Sequence, residues 1–220
     1  MDDPAGAAAY AQADFRDSND LFLSAVLRLA PASLRSVVDL GCGPGDVTFR
    51  LAQALPDVSF IAVDGSGPML VLARAAATDK GFERRVMFVQ ERLQRLSLPL
   101  HRADAVLSKD LLHHLADPAV LWNTVTRLGR PGALVCVMDL VRPDTPDDAR
   151  AILEAVAAPA DEILRQDFYS SLLAAFTPEE VRAQLSSVGL DFHVERIGDR
   201  HMLISGRLPR PAAPSHLRAR

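Results

Sequence analysis

The sequence is poor in cysteine and lysine. Its 220 residues include two cysteines, Cys42 and Cys136, and two lysines, Lys80 and Lys109. Two cysteines cannot build a disulfide framework or a cysteine-rich zinc site. Lysine and arginine together number 24 against 28 acidic residues, a formal net charge of -4. Because the chain lacks a basic excess that would neutralise a phosphate backbone, nucleic acid is not expected as a partner.

Long apolar runs are also missing. No uninterrupted apolar stretch reaches the ~18 residues that a membrane-spanning helix needs. The chain begins Met-Asp-Asp-Pro, an acidic start that lacks the charged-then-apolar order of a secretory signal. We therefore expect no membrane partner and a cytoplasmic location. The hydrophobic share of 49% and the charged share of 24% are typical of soluble globular proteins, and 220 residues fit one domain.

What is present is an alternation of apolar strands and helices. Five short apolar stretches predict strands, over residues 36–40, 58–63, 86–89, 105–107 and 133–138. Helical patterns lie between them, over residues 47–55, 68–80 and 118–128. Strands without polar alternation, separated by helices, are typical of right-handed βαβ units. The sequence therefore predicts an α/β, doubly wound fold with a mostly parallel sheet.

The two ends of the chain add helices and a hairpin to this core. We expect one domain over residues 1–207, composed of a helical cap over 1–35, a core over 36–140, a helical lid insertion over 141–176, and a helix with an antiparallel hairpin over 177–207. The cap contains an amphipathic segment over 10–29, and the insertion is expected to break near Pro159. Residues 208–220, rich in proline and arginine, are predicted to be a disordered tail.

The most specific feature is a glycine-rich turn after the first predicted strand. Residues 39–45 are Asp-Leu-Gly-Cys-Gly-Pro-Gly and lead directly into a helix. Glycines let the backbone turn sharply and let a ligand touch the main chain. Asp64 ends the second strand, 25 positions after Asp39, where an acid usually meets ribose hydroxyls. Since open parallel sheets bind ligands at the carboxyl ends of their strands, this pair predicts a nucleoside site.

The residues around the turn narrow the choice of ligand. Its spacing is Gly-x-Gly-x-Gly, unlike the Gly-x-Gly-x-x-Gly of dinucleotide sites, and no Lys-Ser or Lys-Thr follows as in a P-loop. Asp39 and Asp46 flank the turn, and they would repel a pyrophosphate but tolerate an ammonium and a sulfonium. S-adenosylmethionine, with ribose, adenine, a cationic amino-acid end and no phosphate, fits this pattern.

Residues 39–45 resemble the first motif of class I S-adenosylmethionine-dependent methyltransferases. Three later segments are similar to the family's next motifs: Val-Asp-Gly-Ser-Gly-Pro-Met-Leu over 63–70, Ser-Lys-Asp-Leu-Leu-His-His-Leu over 108–115 and Arg-Pro-Gly-Ala over 130–133. The resemblance covers about residues 36–140, and the pattern is similar to small-molecule methyltransferases of the quinone-biosynthesis type. It implies a Rossmann-like, seven-stranded fold, S-adenosylmethionine as cofactor and methyl transfer to a small-molecule acceptor.

The resemblance implies cofactor contacts at the carboxyl ends of the first four strands. The candidate residues are Asp39, Gly41, Cys42, Gly43, Asp64, Gly65, Ser66, Met69, Glu91, Arg92, Leu93 and Ser108. In the family's pattern the first acid and the glycine backbone hold the methionine end, and the second acid accepts hydrogen bonds from the ribose hydroxyls. Ser108 would face the methionine moiety, and Met69 would pack against adenine or simply in the core.

The stretch after the third strand departs from the family's pattern. Arg92 stands where an aspartate commonly contacts the adenine amine. Gln90 or Glu91 could supply that contact instead, and Leu93 could cover the ring.

Two adjacent histidines are the candidates for a catalytic base. His113 and His114 lie in the segment after the fourth strand, and one of them could deprotonate a hydroxyl or enol on the acceptor. On one helical turn they would point about 100° apart, so at most one readily faces the cleft. The alternative is that both pack and form hydrogen bonds within the fold.

Five side chains are candidates for contacting the acceptor: Tyr10, Lys109, Asp139, Arg142 and Tyr169. Lys109 could bind an acidic acceptor or lie at the surface with its ammonium in water. Asp139 and Arg142 could bind a ligand or pair with each other. The two tyrosines suit a sulfonium or a flat acceptor, and they suit packing between a lid and the sheet equally well.

Other functions compete with small-molecule methyl transfer. An RNA or protein methyltransferase is one alternative, and a catalytically inactive regulator that binds S-adenosylmethionine is another. No Asn/Asp-Pro-Pro-Tyr/Phe segment follows the fourth strand, which disfavours methylation of a base amine. No Asp…Asp-Asn cluster stands at the end of the fifth strand, so no metal is expected. The acceptor atom and the oligomeric state are left open.

Overall fold

The computed structural model describes residues 3–157 and 162–210, and seven strands in this part of the chain form one sheet. The strands are β1 (Ser36–Leu40), β2 (Ser59–Asp64), β3 (Val86–Gln90), β4 (Ala103–Lys109), β5 (Gly129–Leu140), β6 (His193–Ile197) and β7 (His201–Arg207). Their order is β3-β2-β1-β4-β5-β7-β6. Strands β1 to β5 pair in parallel, and β7 runs antiparallel to β5 and β6. The Rossmann-like sheet and its antiparallel hairpin are confirmed.

Eight α-helices accompany the sheet in the described residues. They are α1 (Pro4–Gln12), α2 (Arg16–Leu29), α3 (Asp46–Ala54), α4 (Gly67–Lys80), α5 (Ala119–Leu128), α6 (Pro146–Ala157), α7 (Glu162–Ala174) and α8 (Pro178–Ser187). Short 3-10 turns lie at Leu93–Arg95 and Leu112–His114. None of these helices is both long enough and apolar enough to cross a membrane.

Two apolar layers, one on each face of the sheet, make up most of the core. On one face Phe22, Leu51 and Leu70 of α2, α3 and α4 pack together with Val37. On the other face, α5 and α8 pack against strand residues that include Val38, the next residue along β1. Successive side chains of a strand point to opposite faces, so a strand that is apolar throughout serves both layers. This double burial is the physical reason why the strands lack polar alternation.

Strand β4 begins earlier than the pattern predicted because its polar residue has internal partners. Asp104 is buried, and its Oδ2 accepts hydrogen bonds from the backbone N–H groups of Arg35 at 2.7 Å and Ser36 at 3.0 Å. Its Oδ1 lies 2.8 Å from Nε of Arg130. A buried carboxylate with these bonds is compatible with a central strand, so β4 extends back to Ala103.

The N-terminal segment is two helices, so the prediction of one helical segment over 10–29 is wrong. Helix α1 ends at Gln12, with Ala13 in an extended conformation. Asp14 then accepts hydrogen bonds from the backbone N–H of Arg16 at 3.0 Å and from its guanidinium, while Tyr10 stacks on Phe15 with ring centroids 4.6 Å apart. These local contacts stabilise the bend and bring both aromatic rings to the same place.

Helices α1, α6 and α7 lie over the carboxyl ends of the strands. Helix α1 contacts α4 and α7, and α7 also contacts the turn at Leu112–His114. Leu140, Ala149, Leu172 and Ala175 form a small buried cluster that holds α6 and α7 to the end of β5. The break predicted near Pro159 lies outside the described residues.

The predicted start of the C-terminal tail needs a correction. Leu208 is buried in the core, and its backbone exchanges hydrogen bonds with Gly132 and Ala133 at 3.0 Å each. The packed part of the chain therefore includes Leu208, because its side chain completes the layer beside α5. Residues 211–220 of the predicted tail lie outside the described residues.

Candidate active site

The glycine turn lies where the direction of the strand connections reverses, between the neighbouring strands β1 and β4. Gly41, Gly43 and Gly45 all have positive φ, at 76°, 53° and 89°. Backbone N–H groups of Gly41 and Cys42 donate to the carbonyl of Val63 at 2.8 and 3.0 Å, which holds the turn against β2. Glycine is needed at these three positions because residues with a side chain rarely adopt positive φ angles. A switch point of this kind is the usual ligand site of an open α/β sheet.

Asp64 and the glycine turn are joined directly. One oxygen of Asp64, Oδ2, accepts from the backbone N–H of Gly43 at 2.8 Å, and Oδ1 accepts from Ser66 N–H at 2.7 Å. These two amides orient the half-buried carboxylate at the end of β2. An ionised carboxylate has about four acceptor positions, so it can also receive hydroxyl donors.

Ser66 and Met69 have structural roles at the start of α4. Ser66 is the N-cap, and its hydroxyl accepts from Met69 N–H at 3.4 Å. Met69 is 4% exposed, which places its side chain in the interior. Gly65, immediately before the cap, is exposed and lines a second cleft.

Asp39 is buried beneath the turn. Its Oδ2 accepts a hydrogen bond from the hydroxyl of Thr48 at 2.5 Å. Burial, reinforced by the charge of Asp64, raises the pKa of Asp39 to about 6, although the Thr48 bond and Lys109 oppose the shift. A nearby cation would favour the ionised form of Asp39.

A cleft of about 560 Å³ lies above the turn. It is lined by Asp39, residues 41–44, the Lys109-Asp110 pair at the end of β4 and residues 10–16 of the N-terminal segment. A Cβ added at Gly43 would meet nothing within 4 Å, so the backbone there faces open space. Asp39 and the exposed backbone of the turn suit a ligand with a cationic end. The residues present therefore fit S-adenosylmethionine.

The stretch after β3 lines the second cleft, of about 590 Å³, which also includes Gly65. Glu91 and Arg92 are both on its wall. Both carboxylate oxygens of Glu91 accept hydrogen bonds from Ser97, from its backbone N–H and its hydroxyl, each at 2.7 Å. Leu93 is buried in the core beside α5. Glu91 therefore stabilises the loop, and Leu93 is a packing residue of the core.

Ser108 does not direct its hydroxyl into the cleft. The residue is fully buried, and its Oγ donates to the carbonyl of Leu40 at 2.9 Å. This bond joins β4 to β1 just below the glycine turn. The prediction that Ser108 faces the methionine moiety is therefore not supported by its side-chain position, which is explained by pairing between the two strands.

Lys109 is internal, which rules out the surface alternative. Its side chain is 8% exposed, its ammonium pairs with Oδ2 of Asp110, and Nζ lies 5.9 Å from the centroid of the Phe15 ring. A buried ammonium needs such partners because desolvation is costly.

Asp110 is the next residue and has unusual backbone geometry. Its φ is 53°, and its N–H donates to the carbonyl of Met138 at 2.9 Å. Asp is one of the few residues besides glycine that tolerates this region. Its Oδ1 is buried and has no hydrogen-bond partner among the described residues, with Nε2 of His201 at 3.8 Å.

His113 and Asp139 form a buried pair. Nδ1 of His113 donates to Oδ1 of Asp139 at 2.6 Å, and Asp139 also accepts from the backbone N–H groups of Leu112 at 2.7 Å and Leu140 at 2.9 Å. Burial alone would lower the pKa of His113, but the hydrogen bond and charge of Asp139 outweigh it and raise the pKa. Asp139 is 1% exposed, so it orients the histidine, and its predicted contact with an acceptor is not supported.

His114 differs from its neighbour in both exposure and charge. The residue is exposed at the end of the 3-10 turn, and its ring lies 4.0 Å from that of His113. Desolvation of the packed side of the ring and repulsion from His113 lower its pKa to about 4. His114 is therefore neutral near pH 7, and a base with so low a pKa accepts protons weakly.

Arg142 has structural partners, so the alternative in which Asp139 and Arg142 pair with each other is wrong. Arg142 binds Oε1 of Glu180 at 2.5 Å and the carbonyl of Ala175 at 3.2 Å. Glu180 also completes a capping box with Thr177 at the start of α8. Arg142 therefore joins the end of β5 to α8, because Asp139 already has His113 as its partner.

The two tyrosines lie in different surroundings. Tyr10 lines the first cleft, and burial together with the charges of Asp110, Asp64 and Asp139 raises its pKa. Tyr169 packs against the cluster between α6 and α7, with the guanidinium of Arg150 6.0 Å from its ring centroid. Tyr10 therefore faces the candidate site, whereas Tyr169 contributes to packing.

Three residues at the site were not among the predicted site residues. Thr48 binds Asp39, Phe15 lies beside the ammonium of Lys109, and His201 approaches Asp110. His201 lies 91 positions after Asp110 in the chain, so only the pairing of β5 with β7 brings them together. For Thr48, its place in the helix that follows the glycine turn is a usable signal.

Comparisons with known proteins agree with this geometry. A family described as Methyltransferase domain matches residues 37–132. A demethylmenaquinone methyltransferase of Roseiflexus sp. is 30% identical over 117 residues, which are 53% of this chain and 48% of that protein. A trans-aconitate 2-methyltransferase of Mycobacterium ulcerans is 36% identical over 128 residues, 57% of this chain and 44% of that protein. The matches span about half the length of these curated relatives.

A solved structure extends the likeness to nearly the whole chain. The crystal structure of an S-adenosylmethionine-dependent methyltransferase from Aquifex aeolicus superposes with a TM-score of 0.69 and 17% identity, covering 94% of this chain and 98% of that one. The two proteins therefore share the same fold. The seven-stranded fold with its glycine turn agrees with the resemblance to class I S-adenosylmethionine-dependent methyltransferases seen in the sequence. Residues 37–132, less than half of the chain, match the Methyltransferase domain family.

Proposed function

We propose that this chain transfers a methyl group from S-adenosylmethionine to a small-molecule acceptor. One observation carries the proposal: the hydrogen bond of 2.8 Å between Gly43 N–H and Asp64 Oδ2. It unites a turn whose backbone is open to ligand with the carboxylate suited to ribose, at the switch point of the sheet.

The binding roles follow from the positions of the groups. Asp64 would accept hydrogen bonds from the ribose hydroxyls. The backbone at Gly41 and Gly43 and the charge of Asp39 would hold the cationic methionine end. Gly65 and Arg92 border the adenine, since both line the second cleft. A small number of polar and charged contacts of this kind is enough to fix the orientation of the ligand.

Bound S-adenosylmethionine supplies a methyl group that its sulfonium has already activated. The protein therefore has to align the acceptor with the methyl–sulfur bond and exclude water. Such alignment contributes on the order of 7–11 kcal/mol. Helices α1, α6 and α7 lie over the carboxyl ends of the strands and would act as the lid that excludes water.

His113 is the better candidate for a base where the acceptor must lose a proton. Asp139 holds its Nδ1 at 2.6 Å, which fixes the tautomer with the lone pair on Nε2. A base oriented by a third group is the usual arrangement in enzymes. The exposed His114, with its pKa of about 4, is the weaker candidate.

The acceptor is proposed only as a small molecule. The relatives named above are a demethylmenaquinone and a trans-aconitate methyltransferase, so their acceptors differ from each other in charge and shape. Both are small molecules, and the net charge of -4 on this chain disfavours RNA as the acceptor.

Calorimetric titration with S-adenosylmethionine and S-adenosylhomocysteine tests the binding step. We expect both to bind the purified chain, and we expect S-adenosylhomocysteine to accumulate when a small-molecule extract is added. Binding without turnover on any extract would favour the regulator that keeps the pocket, and turnover that requires RNA would replace the small-molecule proposal. No binding of either nucleoside would refute it.

A further inference from the structure

We propose that Asp110 anchors the acceptor by receiving a hydrogen bond from an O–H or N–H group, so that the acceptor is neutral or cationic where it meets the protein. This inference rests on the proposed methyl transfer and narrows its substrate class. It replaces the idea of an acidic acceptor held by Lys109.

The first observation is an unsatisfied carboxylate oxygen at the end of β4. Oδ1 of Asp110 is buried without a hydrogen-bond partner in residues 3–157 and 162–210, although Oδ2 pairs with Lys109. The ring of His201, at 3.8 Å, is beyond hydrogen-bond distance. Buried polar atoms are almost always bonded, so an unbonded acceptor beside a cleft calls for a ligand donor.

The second observation is the ion pair between Asp110 and the ammonium of Lys109, which favours the ionised carboxylate. Burial alone would raise its pKa, but the positive charge and the hydrogen bond of Lys109 outweigh it and lower the pKa. Near pH 7 the carboxylate therefore accepts hydrogen bonds and cannot donate them, so it binds hydrogen-bond donors and cations. Its neighbour His201 has a pKa lowered by burial, which keeps that ring neutral and leaves Oδ1 without a full positive charge beside it.

The third observation places Asp110 on the wall of the cleft. Asp110 and Lys109 both line it, and the Asp110 side chain keeps 18% exposure. Tyr10 covers this region from α1, and the charges of Asp110, Asp64 and Asp139 all act on its hydroxyl. An acceptor that enters beneath Tyr10 therefore meets Asp110.

The charges around Asp110 disfavour a carboxylate acceptor. The ammonium of Lys109 is already paired with Asp110 and held against Phe15. Asp64 and Asp139 add negative charge on the same side of the sheet. An acidic acceptor would have to displace an internal ion pair and would be disfavoured by this nearby negative charge, whereas an O–H or N–H donor completes the bonding of Oδ1.

The test uses deuteromethyl-labelled S-adenosylmethionine and a protein-free cell extract, split on an anion-exchange resin into retained and unretained fractions. We expect a labelled product from the unretained fraction, identified by mass spectrometry. The unlabelled precursor of that product is then purified and used as the acceptor. In Asp110→Asn the KM for this acceptor should rise about tenfold, as expected for a lost charge-assisted hydrogen bond. The affinity for S-adenosylhomocysteine should change by less than about twofold, since this bond belongs to the acceptor.

Two further variants separate binding from folding. Asn tolerates the positive φ of position 110, and Asp57→Asn, on an exposed aspartate before β2, is the matched control with no expected effect. In Lys109→Met an acceptor bound by Asp110 keeps or lowers its KM, whereas an acidic acceptor bound by Lys109 raises it.

The outcomes separate this inference from the proposed function. A labelled carboxylate from the retained fraction would overturn the role of Asp110, and so would an unchanged KM in Asp110→Asn or a raised KM in Lys109→Met. If wild-type protein binds S-adenosylhomocysteine but labels nothing in either fraction, methyl transfer to a small molecule fails and this inference fails with it.

Discussion

The ring of His113 and the carboxylate of Asp139 are joined at 2.6 Å in the interior, although 26 positions separate them in the chain. Asp139 ends the most buried part of β5 and also binds two backbone amides. The pair therefore stabilises the turn after β4 and fixes the orientation of the buried His113 ring.

Asp139→Asn tests the structural side of this relationship. Asn keeps the shape but loses the charge that raises the pKa of His113, so we expect a loss of about 2 kcal/mol in the free energy of unfolding. The part of this stabilisation that depends on the charge of His113 is fully present below the pKa of an unfolded histidine, about 6.5. It disappears as the pH rises through the raised pKa of His113 in the folded protein. Urea unfolding across this range should therefore show the difference between the two proteins narrowing as the pH rises.

The catalytic side is tested by comparing His113→Gln with His114→Gln. If the acceptor loses a proton to His113, His113→Gln should lower kcat by about 100-fold or more. His114→Gln should stay within a few-fold of wild type, because His114 has a pKa of about 4 and lies outside the Asp139 pair. Single-turnover rates with saturating cofactor measure both. The opposite ranking would move the base to His114.

Asp64→Asn should weaken cofactor binding. The change removes the charge that receives the ribose hydroxyls while keeping the size of the side chain, and we expect the affinity for S-adenosylhomocysteine to fall about 10-fold to 100-fold. Asp79→Asn, an exposed change at the end of α4, is the matched control. Equilibrium dialysis measures both, and equal affinities in the two variants would remove Asp64 from the site.

The raised pKa of Asp39 makes cofactor affinity depend on pH. Below a pKa of about 6 the folded protein holds a proton on Asp39, and a cationic ligand favours the ionised form. We therefore expect the affinity for S-adenosylmethionine to fall as the pH drops below about 6 and to level off above it. In Asp39→Asn this dependence should flatten. A titration series at several pH values decides the point, and a slope that survives in Asp39→Asn would assign it to another group.

Two glycines of the turn should respond differently to alanine. Gly45→Ala places a Cβ 2.7 Å from the Phe49 ring at a φ of 89°, so we expect a loss of stability of about 2 kcal/mol or more. Gly43→Ala meets no atom within 4 Å, so its backbone strain costs about 1–2 kcal/mol, and its methyl group enters the open space above the turn. Thermal unfolding and nucleoside binding together should show the larger stability loss in Gly45→Ala and the larger affinity loss, relative to stability, in Gly43→Ala.

Much of the fold could be predicted because its signals are local. Each strand from β1 to β5 is an apolar run that overlaps a predicted one, and the glycine turn carries its backbone conformation in its own residues. The bend between α1 and α2 was missed because an amphipathic pattern continues across it. Only the contact of Tyr10 with Phe15 and the hydrogen bonds of Asp14 define the break.

The sequence by itself determined the alternating α/β architecture, the turn with its positive φ angles and the acid at the end of β2. These features are local, because the spacing of apolar residues and the presence of glycine set the backbone conformation over only a few residues. The tertiary structure alone decided which charges meet. It assigned Asp139 to His113, Arg142 to Glu180 and Lys109 to Asp110, and it brought His201 toward Asp110. These pairings depend on strand order and register, which place distant residues at one sheet edge, and on competition among neighbours for the same buried partner.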